Sequence, residues 1–522
     1  MVKARTMPWI GMGVWLMAGV CASSQPAGAL EIGVVVDRGE DLGQSFGSLF
    51  EASTKDGAFV IGAGFLDVYN TYDRSDRHTV HFFIRPAKTA RAHTIEPLPR
   101  PSDLAGTYLF ARGDTLYATN PEIRAWHEAE GRWEPDTAQP RGRMQLGNGL
   151  LLFDNNRVEF NGKPILTKPD EGDYYRFYYA QGHLFFYHTF WADQRGYRDH
   201  TTDAEGYTKL YACPWKPGDD ALDMTKAVVK TLPFVGESPF AYGQFRGDVL
   251  SASNIGGLYA FDGTQWRTVL DGKLGESYQV YSMINLYDRL LLGQYPTGEL
   301  FEFDGESVTH LEGWPPRMPG VSPNAREAQT TIIYGGDLFV GVWPWGEVWR
   351  YQPDTKQWDF VRRMFTQPEP TDATTHPYEN ECAALGGVLN QWGQRVTSFV
   401  PLGPSLMIST SAKWPCEWEP KYNFLADDKW KEYGMVYRLN IPGHLCAPVA
   451  WTNGPTTLRF IVSGTDMAIE QDGNTIAKTG LAGLLTDAPI VEDIDLGTGI
   501  YGPFNGVSLQ RMIQTSVGTL LR

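Results

Sequence analysis

Short runs of alternating apolar and polar residues recur along the whole chain, among them "YRFYYA" (175–180), "VYSMINL" (280–286), "AQTTIIY" (328–334) and "VTSFVPL" (396–402). A period of two sends successive side chains to opposite faces of an extended strand, so these runs predict half-buried β-strands. After each comes a unit of fixed order: a turn, an apolar strand, a glycine, a strand with an aromatic residue, a second turn and a last strand. "RGDVLSASNIGGLYAFDGTQWRTV" (246–269), "YDRLLLGQYPTGELFEFDGESVTHL" (287–311) and "YGGDLFVGVWPWGEVWRY" (334–351) show it most clearly. Anchored on the first apolar residue after the first turn, the order is found at Phe59, Leu116, Leu151, Phe185, Leu250, Leu291, Phe339 and Leu406, eight candidate units. No sustained helical periodicity competes with it.

Four short strands repeated in this way predict an all-β chain, a β-propeller of seven or eight four-stranded blades, over residues 30–450. The tail, 451–522, carries further strands, "LRFIVSGTDMAIEQDGNTIAKTG" and "GPFNGVSLQRMI", with a hairpin at Asp472-Gly473. It is expected to pack on the propeller or to close the ring with the N-terminal "EIGVVV". The unit at 334–358 resembles a kelch blade, with Gly335-Gly336, then Val348-Trp349-Arg350-Tyr351, then Asp354 and Trp358 in that family's order. The resemblance covers one blade and implies the fold and no activity.

Residues 1–29 read as a secretory signal, with Lys3 and Arg5, an apolar stretch from Trp9 to Val20, and Ala27-Gly28-Ala29 as the cleavage site. A secreted or periplasmic protein is expected, without a transmembrane segment. The formal charge of −16 becomes −18 when Lys3 and Arg5 leave with a signal that holds no acid, which disfavours nucleic acid as a partner. Cys213, Cys382, Cys416 and Cys446 remain. Cys382 with Cys416 is the favoured disulfide, with buried thiols as the open alternative.

In a four-stranded blade the 1-2 and 3-4 turns lie at one end of the ring, and the 2-3 and 4-1 connections at the other. The long insertions, 64–79, 189–208 and 411–434, all read as 2-3 connections, which marks that face as the functional one. Its aromatic side chains, with Trp191, Tyr295 and Trp343 as binding candidates, suit the apolar faces of sugar rings or a protein interface. Arg176, Arg326 and Arg395 precede their blade anchors at equal parity, so they are expected to converge on the channel mouth and clamp a carboxylate, unless each pairs with an acid such as Glu327.

Tyr187 and His188, with Arg198 and His200 in the loop that follows and Arg77 and His78 closing the first insertion, supply acid–base and cationic groups. In residue classes alone, this looks like propeller-type polysaccharide lyases that work with His, Tyr and Arg. His78 and His81, three apart on a strand, are not read as a metal pair. No cofactor is expected; calcium on the acidic runs "DAEG" and "ADD" is the one ion weighed. The reading is a monomeric, secreted propeller that binds an extracellular carbohydrate, an acidic one on the arginine argument, with cleavage by polysaccharide lyase or glycoside hydrolase chemistry left open and a non-catalytic protein-interaction scaffold as the alternative.

Overall fold

The computed structural model describes residues 28–71, 77–136, 142–191, 206–275 and 278–516, so residues 1–27 of the expected signal segment, Arg198 and His200 fall outside the described residues. Between residues 94 and 440, seven antiparallel sheets follow one another: blade one (108–135), two (143–166), three (173–231), four (239–270), five (279–311), six (327–363) and seven (394–440). In blades one to six the blade's four strands run in sequence order from inner to outer strand, as a propeller requires. Leu116, Leu151, Phe185, Leu250, Leu291, Phe339 and Leu406 all lie on the second strand of a blade.

Blade seven closes the ring. Its strands Gln394–Leu402, Ser405–Ala412 and Val436–Asn440 take their fourth partner, Thr94–Leu98, from before blade one, with Val436 opposite Leu98 and Asn440 opposite Thr94. The N-terminal "EIGVVV" therefore does not close the propeller.

The eighth anchor, Phe59, belongs to a different structure. The two ends of the described chain together build a β-sandwich. One sheet centres on Leu30–Asp37, flanked by Thr456–Val462 and Ser508–Ser516, with Asp466–Gln471 and Asn474–Gly480 beyond. The other comprises His444–Pro448, Thr79–Pro86, Phe59–Phe65, Gly47–Thr54 and Val491–Leu496. Their inner faces share one apolar core, in which Phe460 meets Phe50 at 5.3 Å and Phe82 at 5.1 Å. The tail thus pairs with "EIGVVV" in the sandwich and not to close the ring, and of the segment from 30 to 86 only Val68–Asn70 joins a propeller sheet.

The sandwich sits on the face of the propeller that carries the 1-2 turns. Asp41 accepts the Gly147 amide of blade two at 2.8 Å, Leu42 O accepts from Gly182 of blade three at 2.8 Å, and Ile500 O accepts from Tyr287 of blade five at 3.1 Å. At blade six the contact is closest. A Cβ on Gly336, at φ +80°, would meet Phe83 of the sandwich at 2.5 Å, and one on Gly335 would meet the Arg91 guanidinium at 2.8 Å. The glycine pair of the unit at 334–358 is required here by a left-handed turn and by the approach of a second layer.

The described start of the insertion at 64–79 leaves the sandwich and enters the propeller axis, a correction to its expected place on the opposite face. Its strand Val68–Asn70 adds to the inner edge of blade five, Ser282 opposite Asn70 and Ile284 opposite Val68. Asn70 donates to Thr331 O and accepts from Thr331 N of blade six, both at 2.9 Å. The Tyr69 ring packs edge-on against Tyr178 and Tyr242, of blades three and four, at 6.1 and 5.9 Å. The channel is therefore occupied by the chain itself, and the face with the 2-3 connections is the one left open.

Candidate functional site on the open face

The expected catalytic pair is not assembled. Tyr187 is fully buried against blade four, its hydroxyl 3.0 Å from Ser251 Oγ, and burial raises its pKa well above the ordinary tyrosine value. His188 points to the other side of the same strand, where Nε2 lies 2.7 Å from Glu171 O and the ring packs edge-on against Tyr174 and Tyr207. Burial lowers its pKa. Adjacent strand residues face opposite ways, the alternation that also separates His78 from His81.

The expected arginine clamp is spent on internal acids. Arg326 donates to Glu347 at 3.2 Å and to Thr297 O at 3.2 Å, with both side chains of the ion pair buried. Arg395 reaches across the blade interface to Glu327 at 3.4 Å. Arg176 stands apart, exposed on a residue with φ 58°, its carbonyl accepting the Tyr242 hydroxyl. Arg77 and His78 lie on the sandwich side. Arg77 donates to Asp41 at 2.7 Å and to Gln44 O, and His78 Nε2 sits 2.7 Å from Asp41 Oδ2 with its ring stacked on Trp451. Burial raises the Asp41 pKa, but Arg77, His78 and the Gly147 amide outweigh it and hold the carboxyl well below the usual range.

Of the aromatic candidates, Trp343 is buried, 1% exposed, and roofed by Lys413 Nζ 4.4 Å from its ring centre and by the His376 ring at 4.9 Å. Trp191 is half-buried over Gly236, where a Cβ would meet the indole at 2.1 Å. Tyr295 is half-buried at the end of the second strand of blade five. Cys213, Cys382, Cys416 and Cys446 all stand outside any disulfide, so Cys382 and Cys416 are not paired.

The open face instead presents charge and apolar surface at blades six and seven. At the channel mouth Glu327 receives Lys413 Nζ at 2.7 Å and the Tyr281 hydroxyl at 3.2 Å, besides Arg395. Beside it, the connection from blade six to blade seven forms a short helix, Glu379–Ala384, and then a turn that leaves Leu385, Val388 and Leu389 in solvent. This turn touches the 411–434 insertion: Gln391 Nε2 donates to Trp414 O at 2.8 Å, and the Trp414 amide faces Gln391 O at 3.4 Å.

Leu385, Val388, Leu389, Trp414 and Trp418 are 36 to 58% exposed, and they make up five of the eleven large apolar residues exposed to this degree among the described residues. The same connection also holds a buried aromatic cluster. Trp392 is fully buried, packs edge-on against Tyr422 and Tyr433, and its carbonyl accepts the Tyr433 hydroxyl at 2.8 Å. Exposed apolar side chains gathered on two touching loops are a usual physical mark of a binding surface. Leu385, Val388 and Leu389 are not among the sequence candidates; the apolar spacing of "CAALGGVL", three and four residues apart, is the signal that could have found them.

No family model matches the chain, and no curated protein matches it. Among solved structures it is similar to the computationally designed Ika8 protein, at 11% identity over 78% of this chain and 99% of that one, TM-score 0.34. It is similar to BamB from Moraxella catarrhalis at 12% identity, 78% and 96% coverage and TM-score 0.33, and to the WD40 β-propeller domain of Doa1 at 11%, 67% and 97%, and 0.32. Likeness at this level extends to no function, and the propeller rests on the sheet topology. Among the described residues no helix is long and apolar enough to cross a membrane.

Proposed function

We propose that the protein is a binding scaffold whose open face, at blades six and seven, holds a protein partner. The observation that carries this reading is the joining of Leu385, Val388, Leu389, Trp414 and Trp418 in two touching loops. Such a patch supplies the large apolar anchors that concentrate binding energy at protein interfaces. The groups first expected to perform chemistry support the same reading, because Tyr187, Arg326 and Arg395 serve packing and internal ion pairs. The N-terminal apolar segment supports an exported protein, in which the partner belongs to the cell envelope or its surroundings.

Carbohydrate is the second reading, and it rests on the exposed indole planes of Trp414 and Trp418. One experiment separates the two. The folded chain and its Leu389→Ser/Trp414→Ser variant are immobilised and incubated with envelope extract of the producing cell, and a panel of acidic and neutral polysaccharides is run in parallel. A protein retained in fixed proportion by the native chain and lost from the variant supports the scaffold. A polysaccharide retained natively, lost in Trp414→Ala and kept in Leu389→Ser moves the assignment to carbohydrate. Equal retention of everything by native and variant chains removes the patch from consideration.

A further inference from the structure

The outer face of one sandwich sheet, where it meets the propeller, carries an arrangement unrelated to the open face. In the antiparallel pair of Thr79–Pro86 with His444–Pro448, Cys446 stands directly opposite His81 and His444 opposite Phe83. Val80, Phe82, Ile84, Leu445 and Ala447 point into the sandwich core, so alternation turns His81, His444 and Cys446 together towards the propeller. All three are buried, and their ligand atoms lie within 4.8 Å of one another. His81 and His444 are 363 positions apart in sequence (444 less 81), which is why no spacing motif announces them.

Two features set this cluster apart from ordinary packing. His81 Nδ1 and His444 Nε2 are buried without a hydrogen-bond partner among the described residues, a costly state that leucine or phenylalanine in the same space would avoid. A small cavity of about 30 Å³ adjoins His81 and Cys446 and is also lined by Gly113 and Gly403 of blades one and seven. That is room for one water. Burial pushes the His81 pKa down to about 3 and that of His444 well below 6.5, so both imidazoles are neutral and keep a lone pair at ordinary pH.

We propose that His81, His444 and Cys446 form a binding site for a borderline-soft transition-metal ion, zinc(II) first among them, at the seam of sandwich and propeller. Two imidazole nitrogens and one thiolate are the donor set such an ion prefers, and a water in the adjoining cavity completes four-coordination. Binding replaces the thiol proton: a metal–sulfur bond forms, the S–H bond breaks, and the proton leaves to solvent. There is a defined cost at His444. Its Nδ1 lies 3.2 Å from the Gly335 amide, which it accepts; an ion on Nε2 moves the ring proton to Nδ1 and ends that hydrogen bond. Metal uptake is therefore coupled to the Gly335-Gly336 turn of blade six.

The test uses the purified folded chain, stripped of metal and titrated with cobalt(II) and zinc(II). One equivalent of cobalt is expected, with a thiolate charge-transfer band that zinc displaces, and zinc raises the melting temperature. Cys446→Ser, a one-atom change, loses the band, whereas Cys416→Ser, at the most exposed of the four described cysteines, keeps it. The native-chain zinc shift in melting temperature remains decisive should a variant fold poorly. A native chain that retains no metal, shows no band and melts unchanged with zinc overturns the proposal, as does a band that survives Cys446→Ser.

Discussion

Blade six and blade two are built from the same four-strand unit and differ in how much of it is hidden. In blade six every residue of the first three strands is buried. In blade two no strand has more than two buried residues. Blade six is pressed by blades five and seven, by the sandwich at its turns and by the indoles of Trp343 and Trp345 at its 2-3 connection. Blade two shares an apolar cluster with blade three, through Leu146, Leu151 and Val158 against Phe177 and Phe186. Towards blade one, no apolar cluster spans the seam among the described residues, and Arg112 Nη2 donates to Arg143 O across it at 2.8 Å. Burial in this ring is therefore uneven, with the more deeply buried side carrying the proposed interface.

The strongest way to break this comparison is to remove a large buried side chain from each side. Trp345 is fully buried beside blade six, so Trp345→Ala is expected to cost about 3–5 kcal/mol in denaturant unfolding. Leu151→Ala removes an equally buried side chain from the thinner blade two, where neighbours can close in, and is expected near about 2 kcal/mol. Equal losses would mean that burial in blade six brings no added rigidity.

A smaller effect is expected from the ion cluster at the mouth of blade six. Burial alone would raise the Glu327 pKa, but Lys413 and Arg395 outweigh it and hold the carboxyl below its ordinary 4.5. The unfolded chain then binds this proton at higher pH than the folded one. The stabilisation is complete above about 4.5 and is lost as pH falls through the lower folded value. Glu327→Gln leaves two cations without their acid and is expected to cost about 3 kcal/mol at neutral pH, while flattening the acid limb of the stability curve. An acid limb unchanged by this substitution would place the pH sensitivity elsewhere.

The same contrast explains what is legible in the sequence. Alternation, turn glycines and the aromatic third strand are local signals, and they locate the second strand of all seven blades, including blade one, whose third and fourth strands bury only one residue each. The sandwich is invisible at that level because its pairings are not local: Leu30 lies opposite Val462 and Ser516, and a period of two says nothing about which strand answers which. Phe59 passes as a blade anchor because its hairpin at Gly57 has the blade's local order. Arg326 and Arg395 do sit at the entries of first strands, but whether Arg395 faces a ligand or Glu327 depends on a neighbouring blade. Leu385, Val388 and Leu389 escape a search tuned to aromatic loops.

The smallest expected effect isolates the seam itself. Arg112→Ala removes the donor to Arg143 O across the seam, the donor to Ala111 O within its own strand, and the guanidinium that lies 5.2 Å from the Phe110 ring. Partly exposed hydrogen bonds of this kind contribute about 1 kcal/mol each, so the global unfolding midpoint should move little. Local opening is a different quantity, because it depends on what holds one seam together and not on the whole fold. Amide exchange is therefore expected to quicken over 108–166 in the variant while 327–363 keeps its native protection. Uniform quickening around the ring would show that the blades open together and that the thin seam is not its weak point, whereas confinement to blades one and two shows that a ring closed by Thr94–Leu98 in blade seven yields beside the closure and not at it.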